Sequence, residues 1–207
     1  SILLNRAMGL SSFLLPVRQT STKDTLLLCF SNSKMQKAIA VMQFKVEGQI
    51  INRNPEYNMQ DRNLLERINY ENMTIELGGK LYELSDKNLP TVDPNNPYQL
   101  TEEEASVMRK LKQSFMNSDK MRKHMRWLYA KGSLYLVRNA NLMFHASMPM
   151  NEDGTFKKVL VHGKEYSGKA LFDRVDSVVR AAYFGNPADE EYQRDLDYMW
   201  YLWCGPD

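Results

Sequence analysis

Cysteine, histidine, glycine-rich loops and long apolar runs are all scarce in this 207-residue chain, and each scarcity removes a class of protein. Cys29 and Cys204 are the only cysteines and neither has a CxxC partner, so the chain carries neither a disulfide framework nor a thiolate metal motif. Thirteen methionines and the lack of a secretory signal point to a reducing, cytoplasmic compartment. The longest apolar stretches, such as Thr25 to Phe30, are far too short to span a bilayer, so no membrane partner is expected. No phosphate loop is present: Lys169 follows Gly168, but the Ser or Thr that would hold Mg²⁺ does not come next. Ser-His-Asp spacing and the nucleophile-elbow pattern are missing too. Neither sign of charge dominates, since 27 basic and 25 acidic residues leave a net charge of +2, and the basic positions are scattered among carboxylates. No nucleic-acid footprint follows from that distribution.

What is present is a foldable composition, 43% hydrophobic and 25% charged. The densest basic run, Lys120, Arg122, Lys123, Arg126 and Lys131, reads as a solvated helix face. Apolar residues crowd both ends, at Ile2-Leu3-Leu4 and at Trp200 to Trp203, where termini are usually polar and loose. Flanking polypeptide is expected to pack there.

Residues 1–33 form a segment of undetermined structure, broken by Pro16 and the polar run Gln19 to Asp24. Residues 34–131 read as a mainly helical region containing a β-hairpin. Met35, Ala38, Ile39, Met42, Val46 and Ile50 recur at helical spacing, and that helix should stop before Pro55. Asn58 and Asp61 predict the start of a short helix through Leu64, Leu65 and Ile68. Gly78-Gly79-Lys80 between Thr74 to Leu77 and Leu81 to Leu84 predicts a tight hairpin. Ser85 to Tyr98, with three prolines, reads as a loop or lid. Thr101 and Glu104 form a capping box for a helix buried along Val107, Met108, Leu111 and Phe115. Ser118 caps a second helix, with inner face Met121, Met125 and Leu128 and a stop at Gly132.

Residues 132–207 read as strands followed by helices. Leu134 to Val137 and Leu142 to Phe144 fit strands buried on both faces, joined by a turn at Asn139-Ala140-Asn141. A second hairpin is expected at Lys157 to Tyr166 around Gly163. Two helices should follow, one on Leu171, Val175, Val178, Val179 and Ala182, the other on Tyr192, Leu196, Met199, Trp200 and Trp203. The pattern defines a mixed α/β, or α+β, fold.

Three histidines are candidates for chemistry. His145 closes a strand and is followed by Ala146, Ser147 and Pro149, the position where α/β sheets place functional groups. A neutral imidazole there suits a divalent metal. Spacing alone makes such a histidine structural more often than ligating, because no carboxylate or second histidine stands close by in sequence. His124, on a helix border, and His162, in a turn, read as structural or solvent-exposed.

The stretch KMQKAIAVMQFKVEGQIINRNPEYNMQ from Lys34 to Gln60 closely resembles the class III fructose-1,6-bisphosphatases of bacteria. The same is true of NLPTVDPNNPYQLT, KGSLYLVRNANLMFHASMPMNEDGTF, YSGKALFDRVDSVVRAAYFG and DYMWYLWCGPD. The resemblance runs from about Lys34 to Asp207. That family is similar to the calcineurin-like metallophosphoesterases, which implies part of a two-sheet β-sandwich core carrying a largely helical insertion. Of their five dispersed metal motifs only the fourth is in this chain, Phe144-His145, with Ala146 where many members have glycine.

The resemblance therefore implies that His145 is one metal ligand, the remaining motifs lying before Ser1 and after Asp207. A parent enzyme using Mn²⁺ or Mg²⁺ would hydrolyse fructose 1,6-bisphosphate to fructose 6-phosphate in gluconeogenesis. Its partners would be the sugar bisphosphate and the rest of the parent polypeptide, and homo-oligomers through apolar faces are compatible with it. Two other readings stand beside this one: a non-catalytic helical interaction or regulatory module, and a metallophosphoesterase acting on another phosphoester. An excised segment should show exposed apolar surface around Leu142 to Phe144 or Trp200 to Trp203.

Overall fold

The structure is a computed structural model that describes residues 22–145 and 147–204, with side chains from residue 33 onward. The ends at Ile2-Leu3-Leu4 and beyond Cys204 lie outside the described residues. The chain divides after Val107 into two compact units.

The first unit is built on helix α1, Thr22–Arg53. It begins at Thr22, well before Lys34. Its buried face is also rotated from expectation: Val41, Met42, Lys45, Gly48, Ile50 and Ile51 are buried, while Met35 and Ile39 stay half exposed. Two contacts turn it. Lys45 donates to Glu104 Oε2 at 2.7 Å and to the Thr91 carbonyl at 2.5 Å, and Gly48 lets the Tyr98 ring press against the helix where a Cβ would collide.

Three single 3₁₀ turns, Pro55–Tyr57, Gln60–Arg62 and Leu65–Arg67, replace the expected short helix. Asn58 is not an N-cap: it takes φ +53° and its N–H closes the turn onto the Pro55 carbonyl. Strands β1 (Ile68–Asn69), β2 (Thr74–Leu77) and β3 (Lys80–Glu83) form an antiparallel sheet. The β2–β3 turn is Gly78-Gly79, both at positive φ as a two-residue hairpin demands, and Lys80 already pairs with Leu77. The proline-rich segment remains a loop, pinned by buried Val92 and Tyr98.

Helix α2, Glu102–Met116, starts with the expected capping box. Glu104 N donates to Thr101 Oγ1 at 3.2 Å, and Thr101 N donates to Glu104 Oε2 at 2.9 Å. The same carboxylate holds Lys45, so one side chain both caps α2 and ties it to α1. Beyond that first turn the expected buried stripe is open: Val107, Leu111 and Phe115 are exposed.

In the second unit α3, Asp119–Lys131, is capped by Ser118 Oγ, which accepts from Met121 N. Its basic face is solvated as expected. Met121 and Leu128 are exposed, and the residues that face inward are Met125 and Tyr129, the latter stacked on Tyr183 at 4.5 Å. Arg180 stops the helix from outside, donating to the Tyr129 carbonyl and, at 2.6 Å, to that of Gly132.

Strands β4 (Tyr135–Arg138) and β5 (Asn141–Phe144) pair as an isolated hairpin around Asn139-Ala140, both at positive φ. The expectation that these strands are buried on both faces is corrected. Among the described residues only these two strands pair, and Leu136, Val137, Leu142 and Met143 are about half exposed. Strands β6 (Val159–Val161) and β7 (Lys164–Tyr166) form the second hairpin, turning at His162-Gly163.

Helix α4, Gly168–Phe184, buries Leu171, Val175, Val178 and Ala182 as its spacing predicts. Helix α5, Tyr192–Cys204, does not bury the predicted aromatic stripe. Asp195, Asp197 and Tyr198 turn inward instead, and Trp203 is 89% exposed. The fold is thus mixed α/β with small antiparallel sheets. Among the described residues no helix is long and apolar enough to cross a membrane.

Candidate functional site

His145 follows β5 directly and its side chain is exposed, as its place after Phe144 suggested. The strand end is held by helix α4. Phe144 lies opposite Tyr135 in the hairpin, and both rings pack on Phe172, at 5.6 and 6.0 Å between centroids. Tyr135 Oη donates to Asp173 Oδ1 at 2.7 Å, and Lys169 Nζ donates to Oδ2 at 2.6 Å while lying 5.6 Å over the Tyr135 ring. Lys169 and Tyr135 together hold the Asp173 carboxyl below its ordinary value, and Asp173 raises the Lys169 ammonium in turn. The i,i+4 spacing of Lys169 and Asp173 was visible in the sequence, but its link to Tyr135 depends on how α4 meets the hairpin.

Alternation along a strand puts Tyr135 and Phe144 on the α4 side and leaves Leu136 and Met143 on the other, exposed side. Beside the strand end Leu142, Phe144, Ser147, Met148, Met150 and Phe156 line a shallow groove of about 440 Å³. The apolar surface expected around Leu142 to Phe144 is therefore present, and Trp203 adds a second exposed position.

The other two histidines stand in different settings. His124 is exposed on α3. His162 sits in the β6–β7 turn with its side chain only 5% exposed, a burial that turn propensity alone does not reveal. Among the described residues no three His, Cys, Asp or Glu side chains converge as a metal site. The donor set present here, one exposed imidazole, does not by itself fit a two-metal centre, which needs several ligands converging from one side.

These features define a mixed α/β segment in which the exposed strand-end imidazole of His145 stands beside uncovered apolar surface. Comparison with known proteins makes the assignment specific: a profile of the Firmicute fructose-1,6-bisphosphatase family matches residues 14–207, and the chain belongs to that family. The match begins earlier than Lys34, inside the segment that the sequence left undetermined. The chain is 53% identical over 175 residues to a fructose-1,6-bisphosphatase class 3 of Clostridium novyi, and 54% identical over 177 residues to one of Alkaliphilus metalliredigens. A Bacteroides fragilis relative of the same description is 53% identical over 175 residues. Each alignment covers 84% of this chain but only 26 or 27% of the relative, so the chain spans about a quarter of their length. No solved structure matches it.

Proposed function

We propose that this chain is a segment of a longer enzyme that hydrolyses fructose 1,6-bisphosphate to fructose 6-phosphate and phosphate, a cytoplasmic reaction of gluconeogenesis. The observation that carries the reading is identity above half, across 84% of the chain, to proteins described as fructose-1,6-bisphosphatase class 3. In this reading His145 supplies one ligand to a Mn²⁺ or Mg²⁺ centre of the metallophosphoesterase kind, whose other ligands come from polypeptide outside these residues.

The state of the β4–β5 hairpin supports it. A two-stranded hairpin with half-exposed Leu136, Val137, Leu142 and Met143 is marginal in water by itself, and contiguous uncovered apolar surface marks a face that another surface packs on. Further strands of the parent polypeptide would cover that face and carry the missing ligands toward His145. The role of this segment is then positional: Phe172, Tyr135, Asp173 and Lys169 hold the strand end that presents the imidazole.

The test is turnover of fructose 1,6-bisphosphate by the product of the intact gene with added Mn²⁺. Phosphate release supports the reading. Hydrolysis of a different phosphoester moves the protein elsewhere among metallophosphoesterases, and no hydrolysis with no bound metal favours a non-catalytic module.

A further inference from the structure

The cluster around His162 in the second unit plays no part in that reading. His162 opens the two-residue β6–β7 turn at φ +49°, the left-handed backbone that both positions of such a turn take, and its side chain is enclosed by its surroundings. Those surroundings come from two helices. From α4, Arg174 Nη2 stands 3.1 Å from His162 Nδ1. From α5 and the turn before it, Asp195 Oδ1 and Glu191 Oε2 stand 3.6 and 3.7 Å from the same nitrogen. Arg194 pairs with Glu191 at 4.0 Å, and the Tyr198 ring meets the imidazole edge-on at 5.4 Å.

A guanidinium can only donate, so Nδ1 must present its lone pair to Arg174 and the ring proton must sit on Nε2. That Nε2 is buried and has no hydrogen-bond partner among the described residues. Protonation changes the logic completely. Nδ1 then carries a hydrogen, its contact with Arg174 becomes donor against donor, and Asp195 and Glu191 are the acceptors beside it.

We propose that His162 is a two-position proton switch: neutral, it ties the β6–β7 turn to α4 through Arg174; protonated, it releases Arg174 and ties the turn to Asp195 and Glu191. Burial, with help from Arg194 and Arg174, holds the imidazole below its ordinary value against the opposing pull of Asp195 and Glu191. The crossing therefore lies on the acid side of an ordinary histidine. Because the folded state favours the neutral ring, this contribution to stability is complete above the unfolded value of about 6.5 and is lost as pH falls through the lowered folded value.

The experiment is ¹⁵N-histidine NMR of the 207-residue chain between pH 8 and 4.5. At pH 8 His162 should be the Nε2–H tautomer, and its midpoint should lie below the ordinary histidine value of 6.5. Arg174→Gln should raise the midpoint and Asp195→Asn should lower it, each by about half a pH unit or more. An Nδ1–H tautomer at pH 8, or a midpoint at or above that ordinary value, overturns the proposal. So does a midpoint that neither substitution moves. If one variant fails to fold, the tautomer, the wild-type midpoint and the other variant still decide.

Discussion

Glu104→Gln isolates the junction on which the first unit depends. The Lys45 side chain is fully buried and that of Glu104 is only 10% exposed, so the substitution leaves a buried ammonium without its counter-charge, facing only neutral carbonyl oxygens such as that of Thr91. Breaking a buried pair by removing one partner costs about 3–5 kcal/mol, far more than the few tenths typical of a surface pair. The glutamine oxygen can still accept from Thr101 N, so little of the loss is assignable to the cap. Lys45→Met with Glu104→Gln removes both charges and should recover most of that loss. The readout must suit the unit: Trp127, Trp200 and Trp203 all lie beyond Val107, so tryptophan fluorescence does not report on it. Hydrogen exchange at α1 amides between Val41 and Ile51 does, and protection in Glu104→Gln should fall by roughly two to four powers of ten at 1.36 kcal/mol per decade. Burial works to raise the Glu104 carboxyl, but Lys45 and the Thr101 N–H hold it below its ordinary value. Wild-type protection from this source should thus be present above about pH 4.5 and decline as pH falls through the lowered folded value. Protection of α1 within tenfold of wild type in Glu104→Gln, or a double variant weaker than the single one, would refute the argument.

Gly48→Ala should destabilise the first unit by about 1–3 kcal/mol, despite alanine's better helix propensity, because its Cβ meets the Tyr98 ring; a rise in the α1 melting temperature would contradict this. Ala140→Gly should stabilise the β4–β5 hairpin by up to about 1 kcal/mol, since Ala140 holds φ +59° in a two-residue turn, and slower exchange at β4 and β5 amides would show it. Arg180→Ala leaves the carbonyls of Tyr129 and Gly132 without their donor, so about 1.5–3 kcal/mol of the docking of α3 should be lost and its last-turn amides should exchange faster than those of α4.

Local chemistry was legible wherever it needed only neighbours in sequence. The Thr101–Glu104 capping box, the glycine-pair turn at Gly78-Gly79 and the Ser118 cap stand as read, as does the apolar stripe of α4 except for half-buried Val179. Helix faces were not legible where a polar residue is pulled inward by a distant partner. Lys45 turns the buried face of α1 toward Glu104, which lies 59 positions away, and Asp195 points inward on α5 toward the cationic Arg174 and the His162 turn. Periodicity counts apolar residues and is blind to both. The short apolar runs of β4 and β5 were misread as doubly buried for a related reason: such runs show that a surface is to be covered, not which polypeptide covers it. The site was legible only as a position. His145 at a strand end follows from the run before it, whereas the proposal that it ligates a metal rests on the family resemblance alone.

The central claim is tested most directly by assaying the full-length gene product on fructose 1,6-bisphosphate with Mn²⁺, as wild type and as His145→Ala. The account predicts phosphate release by the wild type, and in the variant a fall in turnover and in bound Mn²⁺ of at least the 10- to 100-fold that changes to ligand-supporting residues cause. Wild-type turnover left intact in His145→Ala, with full metal content, would contradict it.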